Sequence, residues 1–335
     1  MPTNLTVLLL VVLGLAVLFD YINGFHDTAN AIATSVSTRA LKPEHAILMS
    51  ATANFVGALT GTAVAKTISS GLATTPDGPV GQTIVAAALV GAIVWNLITW
   101  RFGIPSSSSH ALIGGLLGAV VTAVGASAIK VDGVMSKVIL PLVASPFAGV
   151  LGGFLLMVIL LNVFRRANPQ RINERFRRLQ LISAAFMAFS HGSNDAQKTM
   201  GIMTLALIAA GVLPADSPIP LWVIVLAATA ISFGTAAGGW RIIKTMGQRV
   251  VKLDPVHGFA AETTAATIIL TASHFGMPVS TTHVISSAII GVGSSDRLSA
   301  VRWGVAGNIV IAWILTIPAS AAVAAVAYVV LDLLT

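Results

Sequence analysis

The chain has 335 residues, 56% of them apolar, with 30 glycines besides, while charged residues make up only 9% against about 25% in an ordinary soluble domain. So few charges cannot cover a folded surface in water, which excludes a soluble globular protein, and the same composition excludes disorder and collagen-like repeats. The lack of cysteine excludes disulfides, Cys-ligated zinc, iron–sulfur clusters and thiol nucleophiles, and the net charge of +7 has to be read from where the bases stand.

A spanning helix needs about 20 mainly apolar residues. In chain order the sequence offers such runs at Leu5 to Ile22, His45 to Val64, Gln82 to Trp100, Ala111 to Ala128 and Val138 to Phe164. After a basic stretch they resume at Leu181 to Gly211, Leu221 to Gly239, Phe259 to Phe275, Val284 to Val292 and Trp303 to Leu334. The expectation is an all-α polytopic membrane protein. The first run has no basic segment before it and no small-residue cleavage site, so it is read as part of the mature chain.

Ten crossings put alternate loops on opposite sides, and 15 of the 19 bases then fall on one side, with Lys66, Lys130 and Lys137 on the other. Cytoplasmic loops are the Lys/Arg-rich ones, so both termini are expected outside and the Arg165 to Arg178 stretch inside. That stretch is read as a topology signal rather than a nucleic-acid site.

The basic stretch separates halves that resemble each other: residues 1–164 as a first transmembrane repeat, 165–180 as a cytoplasmic linker and 181–335 as a second repeat. "NGFHDTAN" (Asn23 to Asn30) recurs as "HGSNDAQK" (His191 to Lys198), and "FVGALTGTAVAKTI" (Phe55 to Ile68) as "FGTAAGGWRIIKTM" (Phe233 to Met246). "GIPSSSSHALIGG" (Gly103 to Gly115) recurs as "GMPVSTTHVISSA" (Gly276 to Ala288). Five crossings per half make the second copy enter from the opposite face, the inverted-repeat plan of secondary transporters, with broken or re-entrant helices expected at the polar motifs.

Most acids fall in loops; Asp20, Asp27, Asp195 and Glu262 are embedded in apolar sequence. An intramembrane carboxylate costs about 2.5 to 3.5 kcal/mol on insertion scales, so it faces a polar cavity or a partner. Asp27 and Asp195 are repeat mates; with unwound carbonyls and the Asn30 amide they make an oxygen-rich site for Na⁺ or a proton, with Glu262 a further candidate and Asp20 open to an interfacial position. Lys198 stands where the first repeat has Asn30, open to pairing with Asp195 or to facing an anionic substrate. The triplets Ser107, Ser108, Ser109 and Ser280, Thr281, Thr282 follow prolines and lead into apolar runs, as at helix N-termini, where free N–H groups and hydroxyls cradle an oxyanion. His110 and His283 are expected to fix these clusters by hydrogen bonding.

"GFHDTANAIATSV", "SHGSNDAQKTMGI", "GIPSSSSH" and "GMPVSTTH", in this order around a basic stretch, resemble the signatures of the inorganic phosphate transporter (PiT) family over nearly the whole chain. The resemblance implies two inverted repeats in a cell (plasma) membrane, both termini outside, and one phosphate site coupled to Na⁺ or H⁺. By motif that site uses Asp27, Asn30, Asn194, Asp195 and both hydroxyl triplets, with Glu262 matching an acid of functional weight. Asn54 replaces an acid of the animal members, and Lys198 replaces a common Asn. A secondary active phosphate symporter is therefore expected, with no catalytic residue, no cofactor beyond the coupling cation, and phosphate, cation and lipid as partners. The oligomeric state, a homo-oligomer included, is left open. A sulfate permease of the wider family is the alternative: hydrogen phosphate can donate a proton to an Asp carboxylate, whereas sulfate only accepts. An intramembrane Ser/His hydrolase is a further alternative, but no G-x-S-x-G context supports it.

Overall fold

A computed structural model describes residues 7–334 and, among them, is helical throughout apart from short connections and one isolated bridge between Ala73 and Ile129. The first half contains α1 (Val7–Ser37), α2 (Pro43–Ala58), α3 (Ala63–Ser70), α4 (Pro79–Phe102), α5 (Ser108–Val124), the short α6 (Val131–Val134) and α7 (Leu140–Val163). The second contains α8 (Pro169–Ala209), α9 (Leu221–Ala237), α10 (Trp240–Lys244), α11 (Pro255–His274), α12 (Thr281–Asp296) and α13 (Trp303–Asp332). Leu5, where the first apolar run was expected to begin, lies outside the described residues.

Among the described residues, four helical stretches are long and apolar enough to cross a bilayer: Val7–Ser37, Pro79–Phe102, Val131–Val163 and Trp303–Asp332. Two bent pairs add to them, α2 with α3 at 69° and α9 with the helical segment 241–249 at 63°. The 31-residue α1 and 41-residue α8 run to about 46 Å and 61 Å at 1.5 Å per residue, well beyond the roughly 30 Å hydrocarbon core. Residues 169–180 of the basic stretch form the first turns of α8 instead of a loop, begun by an Asn168 cap that accepts from the Gln170 and Arg171 N–H groups.

The helices do not break where the polar motifs predict. Both "NGFHDTAN" and "HGSNDAQK" lie inside unbroken helices, α1 and α8. The polar side chains there find buried partners on neighbouring helices, so the backbone keeps its own ladder and tertiary context overrides weak intrinsic propensity. The breaks fall instead in the second repeated motif, at residues 59–62 and at Gly238 and Gly239. Gly24 lets α1 touch the α9 backbone at Ile231 and Gly234, and Gly192 lets α8 touch α2 at Asn54; a Cβ at either place would collide with backbone. Each polar motif is thus pressed against a helix of the other sequence half.

The halves interlock further. α7 packs on α11 and α12, and α13 packs on α4 and α5, where the Trp95 indole N–H donates to Thr316 Oγ1 at 3.1 Å. Two apolar cores result: one joins α1, α4, α5 and α9 with Ala324 and Tyr328 of α13, and the other joins α11 and α12 with Met157 of α7.

Candidate functional site

The hydroxyl motifs build two matched corners. Gly103 ends α4 at φ +66° and its counterpart Gly276 follows α11 at φ +65°, a left-handed conformation in which a side chain is strained. The chain then turns, and Ser107 and Ser280 cap α5 and α12, each accepting from the N–H three residues on, His110 and His283, at 3.1 Å. Each corner is clamped from the other half by the repeated Lys-Thr pair: Thr67 donates to the Gly276 carbonyl at 2.7 Å and Thr245 to the Gly103 carbonyl at 2.9 Å.

The two helix starts meet inside the protein. Ser109 Oγ donates to the Val279 carbonyl at 3.3 Å, and the His110 and His283 rings lie 4.8 Å apart. All of Ser107 to His110 and Ser280 to His283 are buried. The first-turn N–H groups of α5 and α12 have no preceding turn to accept them, so two partial positive charges are brought together in a dry place, a repulsive arrangement that an anion relieves.

Opposite this pole stand the acids. Asp27, His191 and Asp195, all buried, each bring one ligand atom to within 4.8 Å of the others. His26 Nδ1 lies 2.5 Å from Asp27 Oδ1, and His191 Nε2 lies 3.2 Å from Asp195 Oδ2. Thr281 donates to Asp195 Oδ2 at 3.2 Å, and the Asn30 amide donates to Thr281 and Thr282 at 3.3 and 2.9 Å. The Lys198 ammonium donates to Asp195 Oδ1, to Ser109 Oγ and, at 3.1 Å, to the Val279 carbonyl. Asn194 donates to Ser273 at 2.7 Å and to the Met277 carbonyl at 3.3 Å. Ser108 Oγ, Asn30 Oδ1 and Asn194 Oδ1 are buried with no hydrogen-bond partner among the described residues.

The structure thus brings together Asp27, Asn30, Ser108, Ser109, Asp195, Lys198, Thr281 and Thr282. It assigns Ser107 and Ser280 to helix capping. Glu262 stands apart, held on α11 by Thr34, Gln180 and Ser183, and Asp20 is buried beside Asn23 and Thr199 instead of interfacial. The two histidines do not tie the clusters with their rings: among the described residues neither His283 nitrogen nor His110 Nδ1 has a partner, and His283 stacks on Trp313 at 4.1 Å. Unwound carbonyls from α1 and α8 are absent, because those helices are intact. His191 is the residue the sequence left unnoticed, although it stands four before Asp195, on the same face of a continuous helix.

Pseudo-symmetric helices with a buried, charged and hydroxyl-lined centre define a membrane transporter of the inverted-repeat class. The comparisons narrow that class. The model of the phosphate transporter family matches residues 23–324. A Bacillus subtilis protein described as a probable low-affinity inorganic phosphate transporter is 49% identical over 330 residues, covering 98% of this chain and 99% of its own length. A Rhizobium meliloti protein of the same description is 47% identical, covering 97% of each chain. A solved structure titled the sodium-dependent phosphate transporter superposes with a TM-score of 0.91 at 27% identity, over 98% of this chain and all of that one. The chain belongs to the phosphate transporter family.

Proposed function

We propose that this protein is a secondary symporter that carries inorganic phosphate through a single site shared by the two sequence halves, driven by Na⁺ or H⁺. The observation that carries the reading is the meeting of two capped helix N-termini with a pair of buried, repeat-related carboxylates. The N-termini and the hydroxyls of Ser108, Ser109, Thr281 and Thr282 suit a tetrahedral oxyanion, with the Asn30 and Asn194 amides beside them. Asp27 next to an oxyanion makes sense only with a cation or proton between the like charges, which is what couples the movement of one to the other, whereas Asp195 already has the Lys198 ammonium beside it. Glu262, in its own polar nest of Thr34, Gln180 and Ser183, is a separate candidate for the coupling ion.

Residues 1–164 and 181–335 are the two repeats in this reading, with the basic segment on the cytoplasmic side of the plasma membrane and both termini outside. The test is uptake of labelled phosphate into proteoliposomes with imposed Na⁺ or pH gradients and sulfate as competitor. Uphill accumulation driven by one gradient, with Asp27→Asn losing that dependence while remaining folded, is the expected result. Facilitated entry without accumulation would make the protein a channel, and equal competition by sulfate would remove the preference for phosphate.

A further inference from the structure

The repeat symmetry fails at one charged position inside the site. In the first repeat the fourth residue of D-x-x-N is Asn30; in the second the same place holds Lys198, whose side chain is 2% exposed. Both reach the hydroxyl motif of the other half: Asn30 donates to Thr282, and Lys198 to Ser109, the counterpart of Thr282. An ammonium has three N–H donors and no acceptor. Those of Lys198 go to the Asp195 carboxylate, the Ser109 hydroxyl and the Val279 carbonyl. That leaves no donor for a substrate oxyanion.

The three partners are oxygens, one with a formal negative charge, and they come from α8, from the start of α5 and from the segment before α12. A carboxylate, a hydroxyl and a backbone carbonyl are the donor set of a hard monovalent cation. The Lys198 Nζ sits where such a cation would sit and carries the same charge. It differs in one respect: it hangs three residues from Asp195 on the same helix and cannot leave.

We propose that Lys198 is a resident cation, filling with its ammonium a Na⁺-type oxygen cage of Asp195, Ser109 and Val279, so that the second-repeat half of the site takes up no exchangeable cation. Coupling is then left to the first-repeat side, where Asp27 has a neutral amide, Asn30, at the equivalent place. This rests on the reading of the protein as a cation-coupled phosphate carrier, and Lys198 becomes the residue that sets how many ions accompany each phosphate.

Phosphate affinity is measured with radiolabelled inorganic phosphate on the purified full-length protein, with NaCl replaced by choline chloride at constant ionic strength. The slope of log affinity against log Na⁺ concentration counts the Na⁺ taken up with phosphate. Lys198→Asn opens the cage and is expected to raise that slope by one, a tenfold larger response for each tenfold change in Na⁺. Lys198→Arg, which keeps the charge, is expected to keep the wild-type slope. Lys198→Gln is carried in parallel, so that poor folding of one neutral variant leaves the test standing. An unchanged slope in a folded neutral variant, or a raised slope in Lys198→Arg, would overturn the inference. Wild-type protein that bound no phosphate would refute the transport reading instead. The cage is then decided by heat alone: Na⁺, and not choline, is expected to stabilise Lys198→Asn more than wild type in the absence of phosphate, and equal stabilisation would overturn it.

Discussion

Ser107 and Ser108 are neighbours with opposite duties, and truncating each to alanine separates them. Ser108 Oγ is buried without a hydrogen-bond partner among the described residues, a state that costs about 1 to 3 kcal/mol for a polar group. Ser108→Ala removes that burden, so the unliganded protein is expected to be as stable as wild type or slightly more so. In the proposed complex the Ser108 hydroxyl would donate to a charged acceptor, a bond worth about 1.5 to 3 kcal/mol, so phosphate affinity is expected to fall about 10- to 150-fold. Ser107→Ala is expected to do the reverse. Its oxygen caps α5 through the His110 N–H at 3.1 Å, and loss of such a cap costs about 0.5 to 2 kcal/mol of stability. Phosphate binding isotherms and thermal unfolding without phosphate, on both purified variants, give the two quantities. A Ser108→Ala protein that binds with wild-type affinity, or that is destabilised as much as Ser107→Ala, would refute the assignment of Ser108 to the substrate.

Cysteines introduced singly at Asn168 and Asp216 of this cysteine-free chain are expected to be labelled from opposite sides of the membrane; labelling from one side would remove the inverted arrangement. Thr67→Val and Thr245→Val delete equivalent clamps on the Gly276 and Gly103 carbonyls, and each is expected to lower thermal stability by about 1 kcal/mol, with unequal losses arguing that the corners are not equivalent. At the start of α11, His257 bridges Asp254 at 2.7 Å and Asp296 at 2.9 Å. Burial pulls its pKa down, but the two carboxylates outweigh burial and hold it above the ordinary imidazole value. Asp254, whose burial is outweighed by His257 and two backbone N–H groups, is held below the ordinary carboxylate value. The His257 contribution is therefore complete below about pH 6.5 and fades as pH rises through its raised pKa, while that of Asp254 is lost as pH falls through its lowered one. Unfolding followed against pH is expected to show an alkaline limb of under about 1 kcal/mol that His257→Gln flattens; an unchanged limb in the variant would place the titration elsewhere.

The three repeated motifs were legible in the sequence because each carries residues that lipid-facing helices avoid, and their pairing put Asp27 with Asp195 and one hydroxyl triplet with the other before any contact was visible. The helical state of the acidic motifs was not legible. Gly, Asn, His and Asp weaken an isolated helix, but Gly24 and Gly192 are there to admit a neighbouring backbone, and the polar groups bond across to α2, α5, α9 and α12. That error hid His191, which faces Asp195 only if the helix continues. The place of His110 and His283 was inferred from their order after the triplets, whereas their backbone N–H groups, a property any residue would supply, are what the caps use. Hydropathy and the family resemblance group Glu262 with the acidic pair; only packing shows that its partners come from a different stretch of α1 and from the N-terminal part of α8.

The seat of α13 has a consequence in time. Its 30 residues leave the ribosome after the other described helices, yet they form the wall behind α4 and α5, made some two hundred residues earlier. Until then Trp95 lacks its Thr316 acceptor, and the buried face that Ala324 and Tyr328 complete stands open to lipid. α7 waits likewise for α11 and α12. Folding of the first half is thus completed from the second, and a nascent chain stopped short of Trp303 carries an unsealed flank on α4 and α5.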